Sequence, residues 1–160
     1  MLKAIATIPN QSPNNQPILY ETDFYAWTQT QVELMKRGNL NALDLANLIE
    51  EIQSLGKQQK QELRNRLGVL IGHLLKWQYQ PNFRSKSWRV TIRGQRRRIK
   101  EHILENPSLK SYLHQAIAEA FPDGIDLVLK ETPLEEKDLP STCPYTVEQI
   151  FDPLFPDGIQ

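Results

Sequence analysis

Apolar residues recur along most of this chain at intervals of three and four, the period of an α-helix that buries one face. The clearest stripe is Leu45, Leu48, Ile49, Ile52 and Leu55. Further on, Leu63, Leu67, Leu70 and Leu74 run beside a second line of Gly68, Gly72, Leu75 and Tyr79, so that stretch has to be packed on two sides. Glycines four apart also let another helix come close. Trp88, Ile92, Gln95, Ile99, His102 and Ile103 make the face of one more helix, and Leu109, Leu113, Ile117 and Phe121 that of the next. No stretch alternates with a strand's period over more than a few residues. The pattern predicts an all-α protein, a single-domain bundle of about five helices followed by an irregular acidic C-terminal segment.

End signals place the boundaries. Thr22 or Asp23 can cap a first helix that stops at Lys36-Arg37-Gly38, with cations in the last turn and a glycine able to turn left-handed. Asn39 or Asn41 opens a second helix, which Gly56 ends or bends, and a third runs from about Lys57 to Tyr79. Pro81 breaks the chain before a fourth helix, Ser85 to Glu105, and Pro107 suits the first turn of a fifth. Phe121-Pro122-Asp123-Gly124-Ile125 is expected to interrupt that helix before about Glu131. The same five residues return at 155–159 and read as a second, similar turn. A short helix is expected at Tyr145–Phe151. Residues 1–19, with Pro9, Pro13 and Pro17 among Asn and Gln, read as a mobile arm, leaving 20–160 as the helical domain.

A chain of 160 residues is long enough to close one core. Its longest apolar run, Leu67 to Leu75, falls far short of the ~20 residues that span a bilayer, so no membrane role is expected. The N-terminus lacks the pattern of a secretory signal, and a single cysteine, Cys143, fits a reducing compartment. The expected location is the cytoplasm.

Charge changes the picture more than composition does. The formal net charge is zero, yet residues 63–100 carry eleven basic side chains and no acidic one, while 101–160 carry twelve acidic and three basic. On the fourth helix Arg96, Arg89, Lys100, Arg93, Lys86 and Arg97 fall, in that angular order, within an arc of about 100° beside the apolar face. Arginine forks suit phosphate and carboxylate equally. Such a stripe can therefore pair with Asp44, Glu50, Glu51 and the acidic tail, or meet an anionic partner. Trp77, Trp88 and Tyr79 lie among the cations and could stack on bases, but both tryptophans also fall on or near apolar faces.

Other chemistry is sparse. Glu51, Arg66, His73, Trp77 and Trp88 are a candidate cleft, with His73 at the border of an apolar face. His102 and His114 have no Cys or second His at ligand spacing, so no metal site and no cofactor is predicted. Cys143 stands near Glu135, Glu136 and Asp138, which raise a thiol's pKa rather than activate it. Glu50 and Glu51 point about 100° apart and make no acid/base pair. There is no phosphate-binding glycine loop and no nucleophile elbow. A DNA-reading helix-turn-helix around Gly38 is rejected, because its second helix would bring Asp44, Glu50 and Glu51 to phosphate.

Leu48-Ile49-Glu50-Glu51-Ile52 with Leu55-Gly56, then His73-Leu74-Leu75-Lys76-Trp77-Gln78, Ser87-Trp88-Arg89 with Ile92 and Gln95-Arg96, and a late Cys143-Pro144-Tyr145 together resemble the family called domain of unknown function 29, which is abundant in cyanobacteria. The resemblance runs from about Tyr20 to Phe155. It implies a compact helical bundle in a bacterial cytoplasm and carries no activity. The sequence thus predicts a non-enzymatic protein that docks another protein, with nucleic-acid binding through helix 84–100 as the alternative. Its oligomeric state is left open.

Overall fold

In a computed structural model of the chain, the structure describes residues 16–159. Six α-helices follow in order among them: α1 (Gln16–Thr22), α2 (Phe24–Lys36), α3 (Leu45–Tyr79), α4 (Lys86–Glu105), α5 (Leu113–Glu131) and α6 (Val147–Phe151). Short 3-10 turns at Leu40–Ala42, Pro81–Phe83, Pro107–Tyr112 and Glu136–Asp138 connect them, and no strand occurs among the described residues. The all-α class is as expected. Residues 1–15 of the expected arm lie outside the described residues, whereas Gln16 to Leu19, assigned to that arm, begin α1.

Two compact units divide the chain between Leu55 and Gly56, inside α3. In the first, the Asp23 carboxylate caps α2 by accepting from Ala26 N, and Gly38 closes that helix at φ +70°, both as the sequence signals indicate. Tyr20, Phe24 and Trp27 pack ring against ring, with Tyr20 and Trp27 centroids 4.9 Å apart. Asp44, rather than Asn39 or Asn41, starts α3: its carboxylate accepts from Asn47 Nδ2 at 2.7 Å and from the indole of the buried Trp27 at 3.1 Å. The buried Gln31 side chain holds the Asp44 backbone N–H.

The sequence reading breaks α3 at Gly56, but the helix continues for 35 residues without interruption. Gly56 is exposed, so it costs only the ~1 kcal/mol of an interior glycine and leaves the hydrogen-bond ladder whole. The stripe Leu45, Ile49, Ile52 and Leu55, expected to be a buried face, is exposed.

The main core belongs to the second unit. Leu63, Leu67, Leu70 and Leu74 are fully buried along α3, joined by Ile92 and Ile99 of α4, Ala116, Ala120 and Val128 of α5, and Tyr145 and Ile150 near the C-terminus. Tyr79, placed by periodicity in the second stripe, is exposed. The glycine pair does what its spacing predicts. A Cβ on Gly72 would stand 3.0 Å from the Gly124 carbonyl oxygen of α5, and one on Gly68 would stand 3.0 Å from Asp123 Cβ, so the two helices pack more closely than a side chain there would allow without a shift.

The interruption expected at 121–125 does not occur. α5 runs through Pro122 and Gly124 as one helix. Pro122 and the residue one turn before it, Ala118, both face solvent, so the carbonyl that loses its partner can be hydrated. A Cβ on Gly124 would stand 3.1 Å from Gly72 N of α3, so a larger residue there would have to push its neighbours aside. The repeat at 155–159 does form a turn, with a cis Phe155–Pro156 bond and Gly158 at φ +77°.

Candidate functional site

α4 is set by its ends: the Ser85 hydroxyl accepts from Trp88 N, and Ile92 and Ile99 hold the inner face against the core. With those positions turned inward, the cations at 86, 89, 93, 97 and 100 are carried onto the outer flank. There they line, with Arg96 and Glu101, a groove of about 660 Å³ whose remaining surfaces are apolar: Val90, Ile92 and Leu104 from α4, and Phe151, Pro153 and Ile159 from the C-terminal segment. The sequence missed this second wall. Its signal was the aromatic and proline-rich stretch 151–159, which reads as tail until the fold lays it beside α4.

Arg96, counted with the outer stripe, does not belong to it. Only 6 % exposed, it lies beneath the groove and donates from Nε to Ile150 O at 2.7 Å, and from Nη2 to Phe155 O at 2.6 Å and Gln149 O at 3.4 Å. These bonds tie the C-terminal wall to α4. Burial lowers the guanidinium's pKa, an effect the nearby Asp152 charge opposes, and no carboxylate makes an ion pair with it among the described residues. In the predicted arc Arg96 is the innermost member, one turn after Ile92, and that position was the available clue.

Most of the remaining row lacks a close internal counter-ion among the described residues. Lys86, Arg93 and Lys100 have no carboxylate at ion-pair distance among the described residues, and Arg97 reaches Glu101 only at 3.8 Å with both side chains well exposed. Four of the internal acids are engaged elsewhere. Glu119 takes Arg64, the Tyr112 hydroxyl and Gln115, and these donors, Tyr112 first, hold its carboxyl down at about 2. Glu131 takes the buried Lys76 at 2.5 Å, which lowers its pKa. Asp44 serves Trp27 and Asn47, and Glu51 accepts the Tyr20 hydroxyl at 2.6 Å, pushing that phenol up to about 12. The long-range ion pairs of the fold among the described residues run through Arg64 and Lys76 of α3.

The five residues read as a cleft have separate partners. Glu51 is in the first unit and the other four in the second. Arg66 pairs with Glu62 one turn away, and His73 donates from Nδ1 to Val69 O, with burial lowering its pKa. Trp77 is buried and donates to Asp157 O, while Trp88 packs on the core with Lys76 Nζ 4.3 Å over its ring. His102 caps a backbone carbonyl, Gln59 O, at 2.9 Å. Cys143 is half-buried and its thiol pKa is raised by that burial, which disfavours the reactive thiolate. Among the described residues no group of three His, Cys, Asp or Glu could hold a metal, and no helix is long and apolar enough to cross a membrane.

Fold and groove together define a helical protein with a cationic, apolar-floored surface on its second unit. The chain belongs to the family described as Domain of unknown function DUF29, which matches residues 19–156. Neither a comparison with curated proteins nor one with solved structures gives a match.

Proposed function

We propose that this protein acts by binding, and that the groove along α4 docks an acidic, partly apolar segment of another protein. The observation that carries this is the pairing of two features in one place: a row of cations of which Lys86, Arg93 and Lys100 have no carboxylate at ion-pair distance among the described residues, and a floor of apolar residues beside them. Carboxylates satisfy the first and apolar side chains the second. An interface of this kind takes specificity and association rate from the charges and affinity from the buried apolar centre.

Single-stranded nucleic acid along the same row is the second reading, favoured by the cations alone. It lacks a platform for bases, because Trp77 and Trp88 are occupied in the core and Phe151 is the groove's one aromatic side chain. Fluorescence anisotropy separates the two. An acidic peptide bearing leucines is expected to bind at micromolar protein and to persist, weakened, at 0.3 M salt. A poly-dT strand is expected to bind more weakly than the peptide. Binding of the strand alone, with a log–log salt slope near about −3.5 for five phosphates, would replace the first reading by the second.

A further inference from the structure

We infer that the segment accepted by this groove is an α-helix lying along α4, with its carboxylates one turn apart. This rests on the reading that the groove docks a partner protein. Lys86, Arg89, Arg93, Arg97 and Lys100 follow one another by three, four, four and three residues. At 1.5 Å per residue the steps are about 4.5 to 6 Å and the whole row about 21 Å. Around the helix the five spread over only about 80°, so the row is a zigzag band that runs along the axis.

A second helix carrying Glu or Asp at spacings of three and four repeats its charges at the same pitch of about 5.4 Å, and each carboxylate meets a cation. An extended peptide presents its same-side residues every ~6.6 to 6.8 Å, so over this length it offers about three intervals against the row's four and drifts out of register. An extended partner also binds best by adding to a sheet edge, and the described residues contain no strand. The apolar wall of Phe151, Pro153 and Ile159 runs beside the cations, which calls for apolar residues flanking the acidic line on the same helix face. At the far end Glu101 lines the groove next to Arg97 and Leu104, so the acidic line ends there in an apolar residue.

Two labelled peptides of identical composition test this on the full chain: one with glutamates spaced three, four, four and three beside leucines, and one rearranged so that glutamates alternate. The first is expected to bind at least tenfold more tightly, to gain helical circular dichroism on binding, and to lose tenfold or more against Arg93→Glu. Arg93 is exposed, so that variant keeps its fold, which its own circular dichroism verifies. Equal binding of both peptides, each abolished by Arg93→Glu, overturns the helical partner and leaves the docking groove standing. Binding indifferent to Arg93→Glu, or no binding by either peptide, overturns both.

Discussion

Replacing Arg96 by methionine keeps the stem and volume of the side chain but removes the fork that holds the C-terminal wall. Two short charge-assisted bonds disappear, to Ile150 O at 2.7 Å and Phe155 O at 2.6 Å, together with a long one to Gln149 O at 3.4 Å. At about 1.5 to 3 kcal/mol for each short bond, the gross loss is about 3 to 6 kcal/mol. Removing a buried guanidinium also relieves its desolvation, which offsets part of that loss. The expected net destabilisation is about 2 to 4 kcal/mol, read from urea midpoints at unchanged slope. Arg93→Met, on the same helix but exposed, should stay within about 0.5 kcal/mol of the parent. Amide exchange should quicken at 149–155 in the Arg96 variant and nowhere else on the groove. If both variants are equally stable, Arg96 is an ordinary surface cation and the account of how the groove is built fails.

The glycines predict opposite signs for one substitution. Gly72→Ala puts a methyl 3.0 Å from the Gly124 carbonyl and should cost about 1 to 3 kcal/mol despite a better helix propensity. Gly56→Ala meets nothing within 4 Å and should stabilise by up to ~1 kcal/mol, and loss of stability there would contradict the continuous helix. Glu119, held at about 2 by Tyr112 and Arg64, has a folded pKa below its unfolded one. Its contribution is therefore complete above about pH 5 and is lost as the pH falls from about 4.5 towards 2. The stability gap between the parent and Glu119→Gln should narrow across that window, and a gap constant from pH 6 to pH 3 would refute the assignment. At pH 7.5 iodoacetamide should modify Cys143 far more slowly in the folded chain than in urea, since burial raises its thiol pKa.

The parts of the fold that the sequence made legible are those where a local signal and the tertiary environment agree. Asp23, Ser85 and Gly38 sit where capping chemistry puts them, and the leucines of α3 from Leu63 onward are buried as their period requires. Disagreement arose where context decided. Phe-Pro-Asp-Gly-Ile is helical at 121–125, where its glycine faces Gly72, and a turn at 155–159, where Gly158 is left-handed. In the stripe from Leu45 to Leu55, which has a core's spacing, Leu45, Ile49, Ile52 and Leu55 lie exposed, because periodicity reports a face and not what covers it. For the site, the cations were countable in advance. The inward turn of Arg96 and the wall from Phe151 to Ile159 depend on contacts 53 to 59 residues apart in the chain, beyond any local pattern.

A charge swap tests the central claim most directly. The parent protein and Arg93→Glu/Arg97→Glu are each titrated with two helical peptides that differ only in having glutamate or lysine at the docking positions. The parent should bind the glutamate peptide and reject the lysine peptide, and the double variant should reverse that preference. Unchanged preference in the double variant would mean that the cationic row of α4 is not where the partner sits.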